Sequence, residues 1–210
     1  PITAVVVQVL AGSVHLGDIR TTTAVIGFID LRDFTHFSQS AHGEEVVARL
    51  STFFQTVHEA VAIEGGELLK FMGDGALFIY ETVAKNLPEV CEAALRSVSR
   101  IQRVFADANA AGSLSPPLRF TTALHWGEVM YGNIGAVNRL DFTVLGSAVN
   151  TTSRMERVGK NLGVHLVVSG EFASVCKTPM TYLGDFEMPG LDQPIQIFGR
   201  DKEGVLQDPG

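Results

Sequence analysis

The chain has 210 residues, 46% of them hydrophobic and 19% charged, enough for one domain with a full core and unlike a disordered segment. A formal net charge of −7 and the absence of any Lys/Arg run exclude nucleic acid or an anionic membrane as the main partner, and leave room only for a local positive cluster around a small phosphate ligand. Two cysteines, Cys91 and Cys176, stand far apart with no CxxC, which suits a reducing cytosol and excludes a cysteine zinc site.

The apolar opening "ITAVVVQVLAG" is short, interrupted by Gln8 and without a basic lead, so it reads as neither signal peptide nor membrane span. Because the chain begins with Pro1 and not Met, it is expected to be cut from a longer protein, residues 1–20 forming a link to an upstream region. Residues 23–30, "TAVIGFID", are β-branched and apolar, a buried strand ending in Asp30. In "HGEEVVARLSTFFQTVHEAVAIEGG", Val46, Leu50, Phe53, Phe54, Val57 and Val61 form one helical stripe that Gly65-Gly66 stop. "LLKFMGDGALFIY" (68–80) reads as a hairpin, with Asp74 between two turn glycines. Pro88 starts a second helix, apolar at Val90, Ala94, Val98, Ile101 and Phe105. Ser115-Pro116-Pro117 breaks the chain before a strand "LRFTTALHW", a separate strand "EVMYGNIG", a strand around "LDFTVLG" and a helix "SAVNTTSRMERVGKN". Short strands near 164–168, 181–187 and 194–199 follow, and 201–210 reads as a tail. The early order β-α-β-β-α-β is the ferredoxin-like split-βαβ pattern, predicting an α+β domain with a mostly antiparallel sheet and helices on one face.

Asp30 ends its strand and Asp74 sits in the hairpin turn. Taken singly, the first is ordinarily a helix cap and the second an Asx turn. In a split-βαβ sheet, however, the first strand lies beside the hairpin, about 5 Å away, so the two carboxylates can converge. Two ionised carboxylates so close repel unless a cation lies between them, and all-oxygen ligands favour Mg²⁺ or Mn²⁺ completed by substrate phosphates. The pair therefore suggests a nucleoside triphosphate site with two-metal phosphoryl chemistry. Asn150 and Arg154, spaced i, i+4, share a helix face. That face is either a solvated polar surface or one where Arg154 grips a phosphate and Asn150 orients a sugar.

The stretches "FIDLRDFT", "LLKFMGDGALF", "ALHWGEVMYGNIG" and "RLDFTVLGSAVNTTSRME" together resemble the class III nucleotidyl cyclase catalytic domain, in the order that family has them. The similarity runs from about residue 22 to 199, which implies a catalytic domain over 21–200. The resemblance implies that Asp30 and Asp74 bind two Mg²⁺ or Mn²⁺ per site, aided by the Leu31 backbone carbonyl, and that Phe34 and Thr35 lie in the segment holding the phosphates. It implies that Lys70 and Thr143 read the base, that Asn150 orients the ribose and that Arg154 stabilises the transition state. The implied reaction is ATP to cyclic AMP and pyrophosphate, by attack of the ribose 3′-oxygen on the α-phosphorus.

A donor at Lys70 and an acceptor hydroxyl at Thr143 complement the adenine edge, whereas the N1 and N2 donors of guanine call for an acidic residue where Lys70 stands. Thr143 is similar to the bacterial branch that uses threonine there. The family works as head-to-tail dimers, so a homodimer is implied, with Lys70 and Asp74 serving different sites. Four extended residues covering about 13 Å agree with that. One departure is Pro189, in "FEMPGLDQP", where many members have a phosphate-gripping lysine; proline offers neither charge nor N–H. The domain is expected in the cytoplasm, with room for an upstream sensor or membrane anchor. A guanylate cyclase and a nucleotide-binding regulatory module with weak turnover stay open as alternatives. A diguanylate cyclase, also with a glycine-rich acidic turn, would leave Asn150 and Arg154 without a role. The six histidines, His15, His36, His42, His58, His125 and His165, show no metal spacing and read as surface or core residues. Trp126 and Tyr131 read as packing or interface residues, and Asp141 as a partner of Arg139 or a neighbouring strand.

Overall fold

The structure, a computed structural model, describes residues 19–82, 85–136 and 139–200. The leading segment, the C-terminal tail, His15 and the Asp141 side chain lie outside the described residues. In chain order the elements are β1 (Ile19–Leu31), α1 (Phe34–Ser40), α2 (Gly43–Ile63), β2 (Glu67–Met72), β3 (Gly75–Glu81), α3 (Leu87–Ala110), β4 (Phe120–Ala136), β5 (Arg139–Leu145), α4 (Ser147–Leu162), β6 (Leu166–Ser169), α5 (Gly170–Ala173), β7 (Thr181–Phe186) and β8 (Ile195–Gly199). The strands form one sheet in the order β2-β3-β1-β4-β6-β8-β7, with β5 paired to the far end of β4. The β4–β6 pairing is parallel and the other ladders are antiparallel, as the split-βαβ reading expects.

Strand β1 is the spine of this sheet. Its β-branched run pairs with β3 from Ala24↔Glu81 to Asp30↔Gly75, and with β4 from Ile19↔Gly132 to Leu31↔Phe120. Alternation sends Val25, Ile29 and Leu31 to one face, where Phe53, Val57 and Val61 of α2 and Val90, Ala94, Val98, Ile101 and Phe105 of α3 bury them. The predicted α3 stripe is thus buried throughout; of the predicted α2 stripe Phe53, Val57 and Val61 are buried while Val46, Leu50 and Phe54 are only partly so, each fully buried large side chain contributing about 1.5–3 kcal/mol. Pro88 lies in the first turn of α3, and Gly65, with φ 78°, follows α2. Trp126 packs half-buried against this core and Tyr131 is buried, its hydroxyl donating to Glu67 Oε1 at 3.2 Å.

Three features differ from the sequence reading. Ala24, Ile26 and Phe28 point to the opposite face, and α4 covers it through Ala148 and Val149, so the helices occupy both faces. The two strands expected on either side of Gly127 are one 17-residue strand. Gly127 stays in the ladder opposite Ala24 and is small because α4 comes close: a Cβ there would lie 2.8 Å from that of Ala148. Finally, α1 and α5 are too short for a periodic apolar stripe and were not foreseen.

Under α2 and α3, the fully buried Phe78 ring lies across Gly27, where a Cβ would approach the ring to 2.1 Å. Gly27→Ala is expected to destabilise the fold by about 1–3 kcal/mol. Because Phe78→Leu removes the clash, the double variant should lose less than the sum of the single losses in urea denaturation; strict additivity would refute that contact as the cause.

Candidate active site

The register of β1 and β3 sets Asp30 opposite Gly75, on the α4 side of the sheet and next to the hairpin turn. The Asp74 carbonyl accepts a hydrogen bond from Leu31 N at 3.3 Å, which ties the turn to the strand end. The two aspartates predicted to converge are therefore neighbours, and the Asp74 charge acts on the Asp30 carboxyl. Gly75 makes room for that carboxyl: a Cβ would lie 3.1 Å from Asp30 Oδ1 and 2.9 Å from the Ile29 carbonyl oxygen.

Asp30 Oδ1 is buried without a hydrogen-bond partner. Oδ2 accepts from Lys160 Nζ of α4 at 2.5 Å. Lys160 Nζ is also 3.3 Å from Glu156 Oε1, one helical turn earlier, an ion pair whose geometry falls short of a hydrogen bond. Burial pushes the Asp30 carboxyl above the usual carboxylate range; Lys160 pulls it back and the Asp74 charge pushes it up again. Burial also raises Glu156, against the pull of Lys160. At Lys160 burial opposes the ammonium, but the hydrogen bond and charge of Asp30, with Glu156, outweigh it and hold the amine above its ordinary value.

The chain leaving Asp30 is clamped. Leu31 is buried, and the Arg32 N–H donates to the Arg119 carbonyl at 2.8 Å. The Arg32 guanidinium donates through Nε to Thr121 Oγ1 at 2.7 Å and also to the Val164 carbonyl. Asp33 adopts a left-handed φ of 58°, accepts from Arg119 Nη2 at 3.0 Å, and starts α1 at Phe34. Phe34 packs against the core while Thr35 is exposed. Their N–H groups belong to the first helical turn, whose donors lack intrahelical acceptors and suit an anion.

The remaining predicted residues lie elsewhere on the chain. Lys70 is half-buried on β2 opposite Leu77, and Thr143 is 7% exposed on β5 opposite Gly132. Asn150 is exposed on α4, and Arg154 is half-buried beside the loop before β8, its guanidinium nitrogens 3.8 Å from where a Cβ of Gly190 would stand. The loop of Pro189 thus does adjoin Arg154. At about 100° per residue, Glu156 points about 200° around α4 from Arg154. Helix α4 has two polar stripes: Asn150 and Arg154 on one, Glu156 and Lys160, which face this chain's own Asp30, on the other. Beside the start of α4, a cleft of about 1060 Å³ opens between β4 and the loop before β8.

Sequence reasoning missed Arg32, Glu156 and Lys160. The i, i+4 spacing of Glu156 and Lys160 was a visible helix pair, but their third partner, Asp30, is 130 residues from Lys160. Among the described residues no three His, Cys, Asp or Glu side chains cluster as a complete metal cage, and no helix is long and apolar enough to cross a membrane.

The profile described as "Adenylate and Guanylate cyclase catalytic domain" matches residues 19–199, nearly all of the sheet and helices above. This chain belongs to that family. Among curated relatives, "Adenylate cyclase 1" of Rhizobium meliloti is 31% identical over 176 residues, covering 81% of this chain and 26% of that protein. "Adenylate cyclase" of Anabaena cylindrica is 23% identical, covering 90% of this chain and 37% of that protein. The chain thus spans only about a quarter of the first relative's length and under two fifths of the second's. Among solved structures, the adenylyl cyclase CyaB of P. aeruginosa superposes with a TM-score of 0.77 at 23% identity, covering 89% of this chain and all of that one, and so shares the fold.

The described histidines bind to the fold as expected of surface and core residues. His36, His42 and His58 are exposed, and His165 donates through Nδ1 to the Phe120 carbonyl at 3.1 Å. His125 is buried with Nδ1 2.8 Å from Ser169 Oγ, and burial lowers its pKa from the ordinary 6.5 despite the nearby Glu171 charge. The unfolded chain therefore binds a proton that the native His125 refuses, so this group subtracts stability as pH falls below about 6.5. His125→Gln is expected to shrink the drop in melting temperature between about pH 7.5 and about pH 5.5; an unchanged drop would show that His125 does not contribute to it.

Proposed function

We propose that this chain is the catalytic part of an adenylate cyclase, converting ATP to 3′,5′-cyclic AMP and pyrophosphate at sites shared across a head-to-tail homodimer. The observation that carries the reading is the meeting of Asp30 and Asp74 at one end of the sheet, with a buried Asp30 oxygen left unpartnered beside a glycine that makes space for it. Two carboxylates and a backbone carbonyl are hard oxygen donors, the set that Mg²⁺ or Mn²⁺ takes when substrate phosphates complete the shell. Asp30, Asp74 and the Leu31 carbonyl would hold two such ions, which, when bound, supply Lewis-acid activation of the ribose 3′-hydroxyl and neutralise charge on the polyphosphate.

The protein's own groups do the rest. The N–H groups opening α1 at Phe34 and Thr35 bind phosphate oxygens, on a loop that Arg32 and Asp33 fix in place. Lys70 donates to adenine N1 and Thr143 accepts from its amino group, which disfavours guanine. Asn150 orients the ribose, and Arg154 donates to the phosphoryl oxygens as charge builds on them. The two-sided α4 supports division between copies, since Arg154 points away from the stripe that meets this chain's own Asp30. The register pair Met130↔Leu145, each residue 43% exposed at the rim of the cleft, is an apolar surface that a second copy would cover. The greater length of the relatives supports an upstream sensor region, and the substrate pool supports a cytoplasmic site.

Guanylate cyclase is the competing activity, since the family includes it and the guanylyl cyclase Cya2 superposes with a TM-score of 0.72 at 25% identity. Incubation with Mn²⁺ and ATP or GTP, with chromatography of the products, decides: cyclic AMP is expected, cyclic GMP alone would replace the base assignment, and no cyclic product would leave a binding module. Asp30→Ala and Arg154→Ala should each abolish activity. Mixed in equal amounts they should recover about a quarter of it, because half the dimers would hold one intact site of two. No recovery despite demonstrated subunit exchange would overturn the shared site.

A further inference from the structure

We propose that Lys160 is a resident counter-ion of the metal-site carboxylate, holding Asp30 until a divalent cation displaces it, and that Glu156 receives the displaced ammonium. The inference rests on the reading of Asp30 as a metal carboxylate. Its basis is the arrangement of three groups. Lys160 Nζ sits 2.5 Å from Asp30 Oδ2, in the position of a cation on that carboxylate. Glu156 Oε1 lies 3.3 Å from the same nitrogen, and Glu156 is only 6% exposed. A buried carboxylate that must share its cation with another anion is costly, so a second anion kept beside the closer Lys160–Asp30 pair needs a reason. Receiving Lys160 supplies one.

Asp30 Oδ1 is buried without a hydrogen-bond partner while Oδ2 is engaged by Lys160, so the carboxylate keeps one unsatisfied oxygen that a cation taking the place of the lysine would satisfy. Glu156 and Lys160 are one turn apart on the same helix, so the transfer needs a side-chain rotation about a flexible stem and no backbone movement. With Lys160 in place, the charges of Asp30, Asp74, Glu156 and Lys160 sum to about −2; a neutral residue at position 160 leaves about −3 and removes the competitor.

Manganese binding to the full chain, without nucleotide, reads this directly through the electron paramagnetic resonance signal of free Mn²⁺. Lys160→Met is expected to tighten Mn²⁺ binding about tenfold while lowering the melting temperature, and Glu156→Gln, which leaves the lysine only Asp30 to pair with, is expected to weaken it. If Lys160→Met does not fold, Lys160→Gln, which keeps a donor amide, should tighten binding in the same sense. Unchanged or weaker binding in the position-160 variant would overturn the counter-ion role, and unchanged binding in Glu156→Gln would overturn the hand-over. Asp30→Asn separates the two levels of reading. If it leaves Mn²⁺ binding intact, Asp30 is no metal carboxylate and both readings fall. If it abolishes binding while Lys160→Met does nothing, only the counter-ion falls.

Discussion

The hydrogen-bonded register of β1 between β3 and β4 sets Asp30 opposite Gly75 on one side and Thr121 on the other, and a slip of one residue would turn its carboxyl into the apolar core under α2 and α3. That slip is opposed along the whole strand, because Val25, Ile29 and Leu31 would have to leave their packing together. The same register brings the hairpin turn to the strand end, so that Leu31 N and the Asp74 carbonyl meet. An acidic pair that repels itself is thus maintained by the burial of residues that take no part in chemistry.

Helix α4 is the complementary half of the arrangement. Ala148, Met155 and Gly159 lay it against the sheet, closely enough that a Cβ at Gly159 would come 2.7 Å from Thr121. This apolar seam leaves two polar stripes on opposite flanks. One ends at the Asp30 carboxyl through Lys160; the other presents Asn150 and Arg154 outward, with Arg154 beside Gly190. The loop containing Pro189 and Gly190 therefore borders the arginine even though it lacks the lysine common in the family.

Much of this was legible from local pattern. The stripes of α2 and α3, the glycine-flanked Asp74 turn and the Asn150/Arg154 spacing are short-range signals, and each lands where its period places it. The two short helices, the continuity of β4 through Gly127 and the placement of α4 on the second face were not legible, because each is decided by packing between elements. A glycine in an apolar run reads as a break until the helix pressing on it is known. Lys160 shows the same limit at the site: its i, i+4 glutamate could be seen, but the carboxylate that completes the triad is supplied by a strand at the other end of the sequence.

The opposed flanks of α4 have a mechanical consequence. Arg154 and Lys160 are six residues apart, about 9 Å along a helix that neither stretches nor twists easily, and its seam of Ala148, Met155 and Gly159 fixes it to the sheet. In the head-to-tail dimer proposed above, a shift of that helix at one pocket would be imposed on the other. The two pockets would then fill as linked compartments, the first nucleotide altering the affinity left for the second.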